Sequence, residues 1–261
     1  MNWPPITVLI VTYDRPKEIR EVIEALQVKL TYAGDLHWHL ADDCSPTPGY
    51  VPAILSDFAH LNFTSTTTPQ RRGWGVNVNT GLRAIETPYV FQCEDDQVAR
   101  RPIDLERGVF VMEHVPDVGL VRYDGLEGHR LVLHVDETPM VDGRRVHFLR
   151  IDKRSSLRRK EPYGYSNRPH LKHRRFHGSY RGYPEGLKLG ATEMMYAHHV
   201  MNQDGMPELV ALADGIERAF NHIGRSRQLS PEDIGDVIEY QQTMTAPDPR
   251  PSGCAGCGKK K

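Results

Sequence analysis

Residues 71–96 read RRGWGVNVNTGLRAIETPYVFQCEDD and leave a chain few ways to fold. A basic pair enters a glycine-rich turn, Gly73-Trp74-Gly75. Val78, Leu82 and Ile85 then recur at helical spacing, and Thr87-Pro88 ends that helix. Residues 89–93 form a short, mostly apolar strand that runs directly into Glu94-Asp95-Asp96. Carboxylates are seldom fully buried without a partner, so adjacent acids are costly inside a core. At the carboxyl end of a parallel strand they would occupy the crevice where open α/β sheets bind ligands. Glu94 and Asp96 stand at alternate positions and point the same way on an extended chain. That suits a divalent cation with oxygen ligands, itself bound to phosphates. A solvated acidic loop is the alternative for these acids taken alone.

The preceding chain supplies the rest of such a sheet. Residues 6–12 (ITVLIVT) are a continuous apolar, β-branched run, the pattern of a strand buried on both faces. Tyr13-Asp14-Arg15-Pro16 breaks it, with Pro16 near the first turn of a helix whose apolar face is Ile19, Val22, Ile23, Leu26 and Leu30. Residues 37–41 read as a second strand ending in Asp42-Asp43-Cys44-Ser45, residues 50–60 as a helix, and residues 61–65 as a third strand. Strands alternating with helices argue for a parallel sheet covered on both faces. Neither GxGxxG nor GxxxxGK[ST] occurs, which disfavours a dinucleotide fold and a phosphate loop.

Four stretches in this order resemble the family 2 glycosyltransferases: Val11-Thr12-Tyr13-Asp14-Arg15, Asp42-Asp43-Cys44-Ser45, residues 75–82 (GVNVNTGL), and the DXD-like Glu94-Asp95-Asp96. The resemblance covers roughly the first 100 residues. It implies the GT-A fold, an α/β nucleotide-sugar-binding architecture with a mostly parallel sheet and helices on both faces. It also implies that the first turn and the second-strand Asp hold nucleoside while the DXD acids hold Mn2+ or Mg2+ on the diphosphate. On that basis Thr12, Tyr13, Arg15, Asp42, Asp43, Arg71, Gly75, Asn79 and Asp95 are expected at the nucleotide-sugar, which would be a UDP-sugar first. Glu94 and Asp96 are expected at the metal. The chain departs from the pattern at Glu94, the first DXD position, and at Cys44, where Gly is usual.

Beyond residue 104 the pattern is less regular. Residues 105–114 read as a helix and 118–123 as a strand. Asp142-Gly143 between β-rich runs at 131–135 and 146–151 signals a hairpin. Thr192-Glu193, leading into a helix, resembles the family's "ED" motif without its Asp. Inverting transfer needs a base for the acceptor hydroxyl; Glu193 is the candidate and Glu185 the fallback. The alternative for Glu193 is a helix-start acid favoured by the macrodipole. Residues 220–227 resemble the late "H-x-G" element, which implies His222 as a metal ligand, with Arg225 and Arg227 toward the leaving diphosphate.

Net charge is −1, yet residues 144–181 hold 13 Lys/Arg against Asp152 and Glu161. Aromatics interleave with these cations: Phe148, Tyr163, Tyr165, Phe176 and Tyr180. Cations with aromatics form the footprint of nucleic-acid binding, and they point to Arg158, Arg159, Lys172, Arg174 and Arg175 as acceptor contacts on a basic, acceptor-side insertion. The chain also resembles bacteriophage glycosyltransferases, some of which modify hydroxymethylated pyrimidines in DNA, so DNA is an expected acceptor. Alternatives are a polysaccharide or lipid-linked glycan, a binding module with a decayed transferase domain, or a nucleotidyltransferase. The reading divides the chain into one domain, 1–245, with a nucleotide-sugar half at 1–104 and an acceptor half at 105–245, and a flexible tail at 246–261. Cys254 and Cys257 in that tail supply at most half of a zinc site, to be completed by a His from elsewhere or a second subunit, or else a partner contact. With few cysteines, no signal-peptide pattern and no apolar run near the roughly 20 residues of a membrane span, a cytoplasmic compartment is expected.

Overall fold

The computed structural model describes residues 2–124, 126–203, 208–212 and 218–224. The expected tail, Cys254 and Cys257, and the phosphate candidates Arg225 and Arg227 lie outside the described residues. Its centre is a nine-stranded mixed sheet. The first part is parallel throughout: β1 (Ile6–Thr12) pairs with β3 (Leu36–Asp42) on one side and β5 (Tyr89–Glu94) on the other, and β4 (Thr64–Thr67) adds to β3. A two-residue strand β2 (Leu30–Thr31) pairs with β7 (Ile103–Asp104) away from this sheet.

β1 is apolar throughout because it is covered on both faces. Ile6, Val8 and Ile10 join one core with α1 (Glu18–Lys29), α2 (Tyr50–Asp57) and α4 (Leu105–His114). Leu9 and Val11 join a second core with α3 (Trp74–Ala84), α6 (Arg174–Ser179) and α7 (Leu189–Asn202). The predicted face of α1 is the buried one, through Ile19, Val22, Ile23 and Leu26. Burying each such side chain contributes about 1.5–3 kcal/mol. Asp104 caps α4, its side chain accepting from the Arg107 amide. Boundaries shift where polar residues carry a strand: the predicted 61–65 strand is Thr64–Thr67, after a 3-10 turn at Ala59–Leu61.

The second half extends the same sheet. Beyond β5 the order is β11 (His170–His173), β8 (Val118–Arg122), β12 (Glu208–Leu212), β10 (His147–Ile151) and β9 (Leu133–Glu137). The predicted hairpin is β9–β10 at the sheet edge. Asp142 and Gly143 turn nearby with φ 51° and 74°, the left-handed pair that a primed turn requires.

The basic segment is where the structure corrects the sequence reading. It is no surface insertion: it contains β10, α5 (Lys153–Arg158), β11 and α6, and β11 lies between β5 and β8, antiparallel to both. Of its aromatics, Phe148, Tyr165, Phe176 and Tyr180 are fully buried in the cores, so they offer no stacking surface to a nucleic acid. Two short strands complete the picture near the acids, β6 (Gln97–Ala99) and β13 (Phe220–His222), which pair antiparallel. Among the described residues no helix is long and apolar enough to cross a membrane.

Candidate active site

The strand order β4-β3-β1-β5 makes β1 the point from which the chain first moves one way, to β3 and β4, and then the other, to β5. At such a switch the connections diverge and leave a crevice beyond the carboxyl ends of the strands. The ends that meet there are Thr12 of β1, Asp42 of β3 and Glu94 of β5. The sequence motifs therefore converge at one edge of the sheet.

β1 and β5 are tied together by Asp95. Its carboxylate accepts from the Thr12 hydroxyl at 2.8 Å, from the Tyr13 amide at 3.1 Å and from Arg15 at 3.3 Å. Burial still raises its pKa to about 7, with Arg15, Thr12 and Tyr13 pulling the other way. Asp95 therefore sits inward, clasping the turn after β1. Asp42 and Asp43 face their own loops in a similar manner. Asp42 accepts from the Ser45 amide at 3.0 Å, while Asp43 accepts from Thr68 Oγ1 at 2.9 Å and from the amides of Arg72 and Gly73 at 2.8 and 2.7 Å. These bonds fix the 68–73 loop that carries Arg71. The Arg71 guanidinium lies 4.3 Å from the centre of the Tyr13 ring, so a cation and an aromatic stand together at the rim above the buried acids.

Asp96 and His222, far apart in sequence, are neighbours. β6 starts immediately after Asp96, and its antiparallel partner β13 places His222 opposite Gln97. The Ile223 amide donates to the Asp96 carbonyl at 2.9 Å, and His222 Nε2 stands 3.3 Å from Asp96 Oδ2. Arg15 pairs with the same carboxylate. Gly224 permits this approach: a Cβ there would lie 2.2 Å from Asp96 Oδ2. His222 Nδ1 faces the Gly224 carbonyl at 3.1 Å. A carbonyl only accepts, so Nδ1 carries the proton and Nε2 turns toward a carboxylate. A proton or a cation between them satisfies that pairing. Asp96 Oδ1 is buried and has no hydrogen-bond partner among the described residues. A carboxylate with Oδ1 unbonded, and with an imidazole beside Oδ2, fits Mn2+ or Mg2+. The fit is that of a partial shell: no group of three or more His, Cys, Asp or Glu among the described residues is arranged to hold a metal. Donor diphosphate oxygens and water would complete it.

Glu94 and Glu193 belong to the same electrostatic cluster. Burial, then the carboxylates of Asp96, Glu193 and Asp95, pushes Glu94 well above the usual carboxylate range, with Arg15 opposing. Glu193 sits in the first turns of α7 and is held by two donors, Ser166 Oγ at 3.0 Å and the Asn167 amide at 2.9 Å, both on Oε1. Its Oε2 accepts no hydrogen bond from the described residues. Ser166 and Asn167 were not singled out in the sequence; they lie 26–27 residues from Glu193, and no short motif links them. Asn77, within the 75–82 stretch, is a strut: its amide donates to the carbonyls of Thr12 and Ala41 at 3.1 and 3.0 Å, bracing the ends of β1 and β3.

The remaining candidates are placed elsewhere. Gly75 lets the 183–185 segment press on α3, since a Cβ would come within 2.1 Å of the Pro184 carbonyl. Asn79 binds that segment through Tyr183 and the Glu185 carboxylate. Glu185 is thus bonded to α3 rather than to the acids around Asp96. Lys172 is corrected as an acceptor contact: it is 1% exposed, with its amine on Gln92 Oε1 at 2.7 Å and the Tyr183 hydroxyl at 3.2 Å. Arg175 is exposed but donates to the carbonyls of Met112 and Val118, and Arg174 to that of Glu86. Arg158 and Arg159 are exposed on the surface.

The sequence model of glycosyl transferase family 2 matches residues 7–178. No curated protein matches the sequence. Among solved structures, S. aureus TarS is similar with a TM-score of 0.60 and 17% identity, over 92% of this chain and 39% of TarS. S. aureus TarS 1–349 in complex with UDP-GlcNAc gives 0.58 and 17%, over 92% and 65%. The mannosyltransferase PcManGT from Pyrobaculum calidifontis, in complex with GDP-Man and Mn2+, gives 0.57 and 16%, over 91% and 69%. This chain thus spans 39% of the length of TarS, and at these identities the likeness is one of fold, the GT-A arrangement of sheet and helices.

Proposed function

The chain belongs to glycosyl transferase family 2, and we propose that it moves a sugar from a nucleotide-sugar to a hydroxyl acceptor with inversion. The observation that carries this reading is the meeting of Asp96, His222 and Arg15 at the switch point, with Glu94 and Glu193 in the same field. Asp96 and His222 would hold Mn2+ or Mg2+, which supplies charge neutralisation for the departing diphosphate. Tyr13 and Arg71 flank the nucleoside. Glu193 Oε2 takes the proton of the acceptor hydroxyl while its oxygen bonds to the anomeric carbon and the bond to the diphosphate oxygen breaks. Ser166 and Asn167 hold the other carboxylate oxygen still during that transfer. A UDP-sugar is the first donor to try. The neighbour structures, solved with UDP-GlcNAc and with GDP-Man and Mn2+, support a nucleotide-sugar of this class.

For the acceptor, a hydroxymethylated pyrimidine in DNA keeps the charge half of its support, through exposed Arg158 and Arg159. It loses the stacking half, because the aromatics are core. That loss favours a second reading, an acidic or lipid-linked glycan hydroxyl. The deciding experiment offers hydroxymethylated DNA and free glycans to the protein with Mn2+ and a pool of sugar nucleotides, followed by mass spectrometry. A sugar mass on one acceptor with release of the nucleoside diphosphate supports transfer. Release of pyrophosphate would make the protein a nucleotidyltransferase, and no nucleotide release from any donor would reduce it to a binding module. In calorimetry, Asp96→Ala should abolish metal-dependent donor binding; unchanged affinity removes Asp96 from the site.

A further inference from the structure

A cavity of about 1040 Å³ opens away from the acids, between α3, α6 and the later turns of α7. Along β5 it touches Val90, and just before that strand Thr87, whereas Glu94 ends the strand at the other side. None of Arg15, Glu94, Asp96 or Glu193 lines it. Its size is that of a site for a drug-sized ligand.

Its walls have a definite chemistry. Leu82, Ile85, Val90 and Met195 supply apolar surface, backed by the buried rings of Tyr180, Tyr183 and Tyr196. Tyr196 is 1% exposed, yet its hydroxyl has no hydrogen-bond partner among the described residues. His177 Nδ1, also at the wall, is buried and lacks a partner in the same sense. Both atoms lie behind the cavity surface, so the contacts the cavity offers are apolar wall and charged rim. The rim is cationic: Arg83, Arg174 and Arg181 stand against a single carboxylate, Glu185. Arg83 and Glu185 are 4.0 Å apart, whereas Arg181 is exposed and makes no ion pair among the described residues.

We propose that this cavity is a second binding site, separate from the donor crevice, for an amphipathic organic anion: an apolar ring or chain bearing one carboxylate, phosphate or sulfonate. The apolar body fills the space between α3 and α7, and the anionic end meets Arg181 and its neighbours. Charge-assisted contacts to guanidinium are the strong ones at such a rim.

The test uses the full chain and the fluorescent aryl sulfonate 8-anilinonaphthalene-1-sulfonate. Titration should show one saturable site per chain, unaffected by excess UDP with Mn2+. Leu82→Trp, which fills the space, should weaken binding by roughly tenfold or more, the loss expected when apolar burial of this kind is blocked. Arg181→Glu, on an exposed side chain, should weaken it several-fold while thermal stability stays unchanged. Competition identifies the body: displacement by decanoate assigns a chain, and displacement by 2-naphthoate alone assigns a ring. Displacement by UDP, displacement by neither acid, or binding untouched by Arg181→Glu would overturn the proposal. The Arg181 arm holds if Leu82→Trp fails to fold.

Discussion

Adjacent strands β5 and β11 treat charge in opposite ways. β5 carries its acids past its carboxyl end, where the switch point opens a crevice and Arg15 and His222 can meet them. β11 carries a lysine in its middle, opposite Val90, and buries it. The difference is position along the strand. A charge at a strand end reaches a crevice shared by several loops, where a ligand can complete its partners. A charge in mid-strand has only what the neighbouring strands and helices present. For Lys172 these are Gln92 and Tyr183, and burial lowers its pKa to about 7. Charge at an end is available for chemistry, and charge in the middle is a cost borne by the fold.

The sharpest way to break that contrast is at Glu193, the acid on the crevice side. Glu193→Gln keeps an oxygen for Ser166 and Asn167 but removes the proposed base. Transfer should fall ~100-fold or more with donor affinity near normal, in line with general-base contributions. Steady-state kinetics beside donor calorimetry checks this, and full activity would end the assignment.

Lys172 tests the other side of the contrast. Its folded value of about 7 lies below the ordinary 10.5. Between those values the unfolded chain holds a proton that the folded chain lacks, so stability rises with pH across this window, by roughly 1.4 kcal/mol per unit for one proton. Below about pH 7 both states are protonated and the slope vanishes. Urea denaturation of wild type and Lys172→Met at pH 6, 7, 8 and 9 isolates the effect. The variant's stability relative to wild type should be greatest at the low end and shrink as pH rises above 7. A constant difference would mean that the amine stays charged in the fold.

The smallest effect belongs to Cys44. It turns the chain after β3 with φ 58°, a left-handed conformation that glycine adopts without steric cost. Cys44→Gly should therefore stabilise by about 1 kcal/mol, the scale of the penalty for an L-residue there. A rise in the denaturation midpoint checks it; a fall would show that the Cys44 side chain holds the turn.

Much of the first half was legible because its signals are local. The apolar run of β1, the spacing of Ile19, Val22, Ile23 and Leu26, and acids directly after apolar strands each need only a few consecutive residues. They lead to a covered parallel sheet with a ligand crevice, and the family match, over residues 7–178, includes this region and runs on into the second half. The basic segment misled for the same reason. His170-Leu171-Lys172-His173 has no local mark of a central strand, and its cations with nearby aromatics read as a surface.

By itself, then, the sequence determined the strands that must be buried, the helices that cover them and the acids that must lie at their ends, since hydrophobic periodicity and the cost of burying charge act over short spans. Only the tertiary structure decided that His222 would stand beside Asp96, that Ser166 and Asn167 would hold Glu193, and that a lysine would lie inside the sheet. Those outcomes depend on pairings between residues tens to more than a hundred positions apart, and they arise from which strands become neighbours rather than from any residue's own preference.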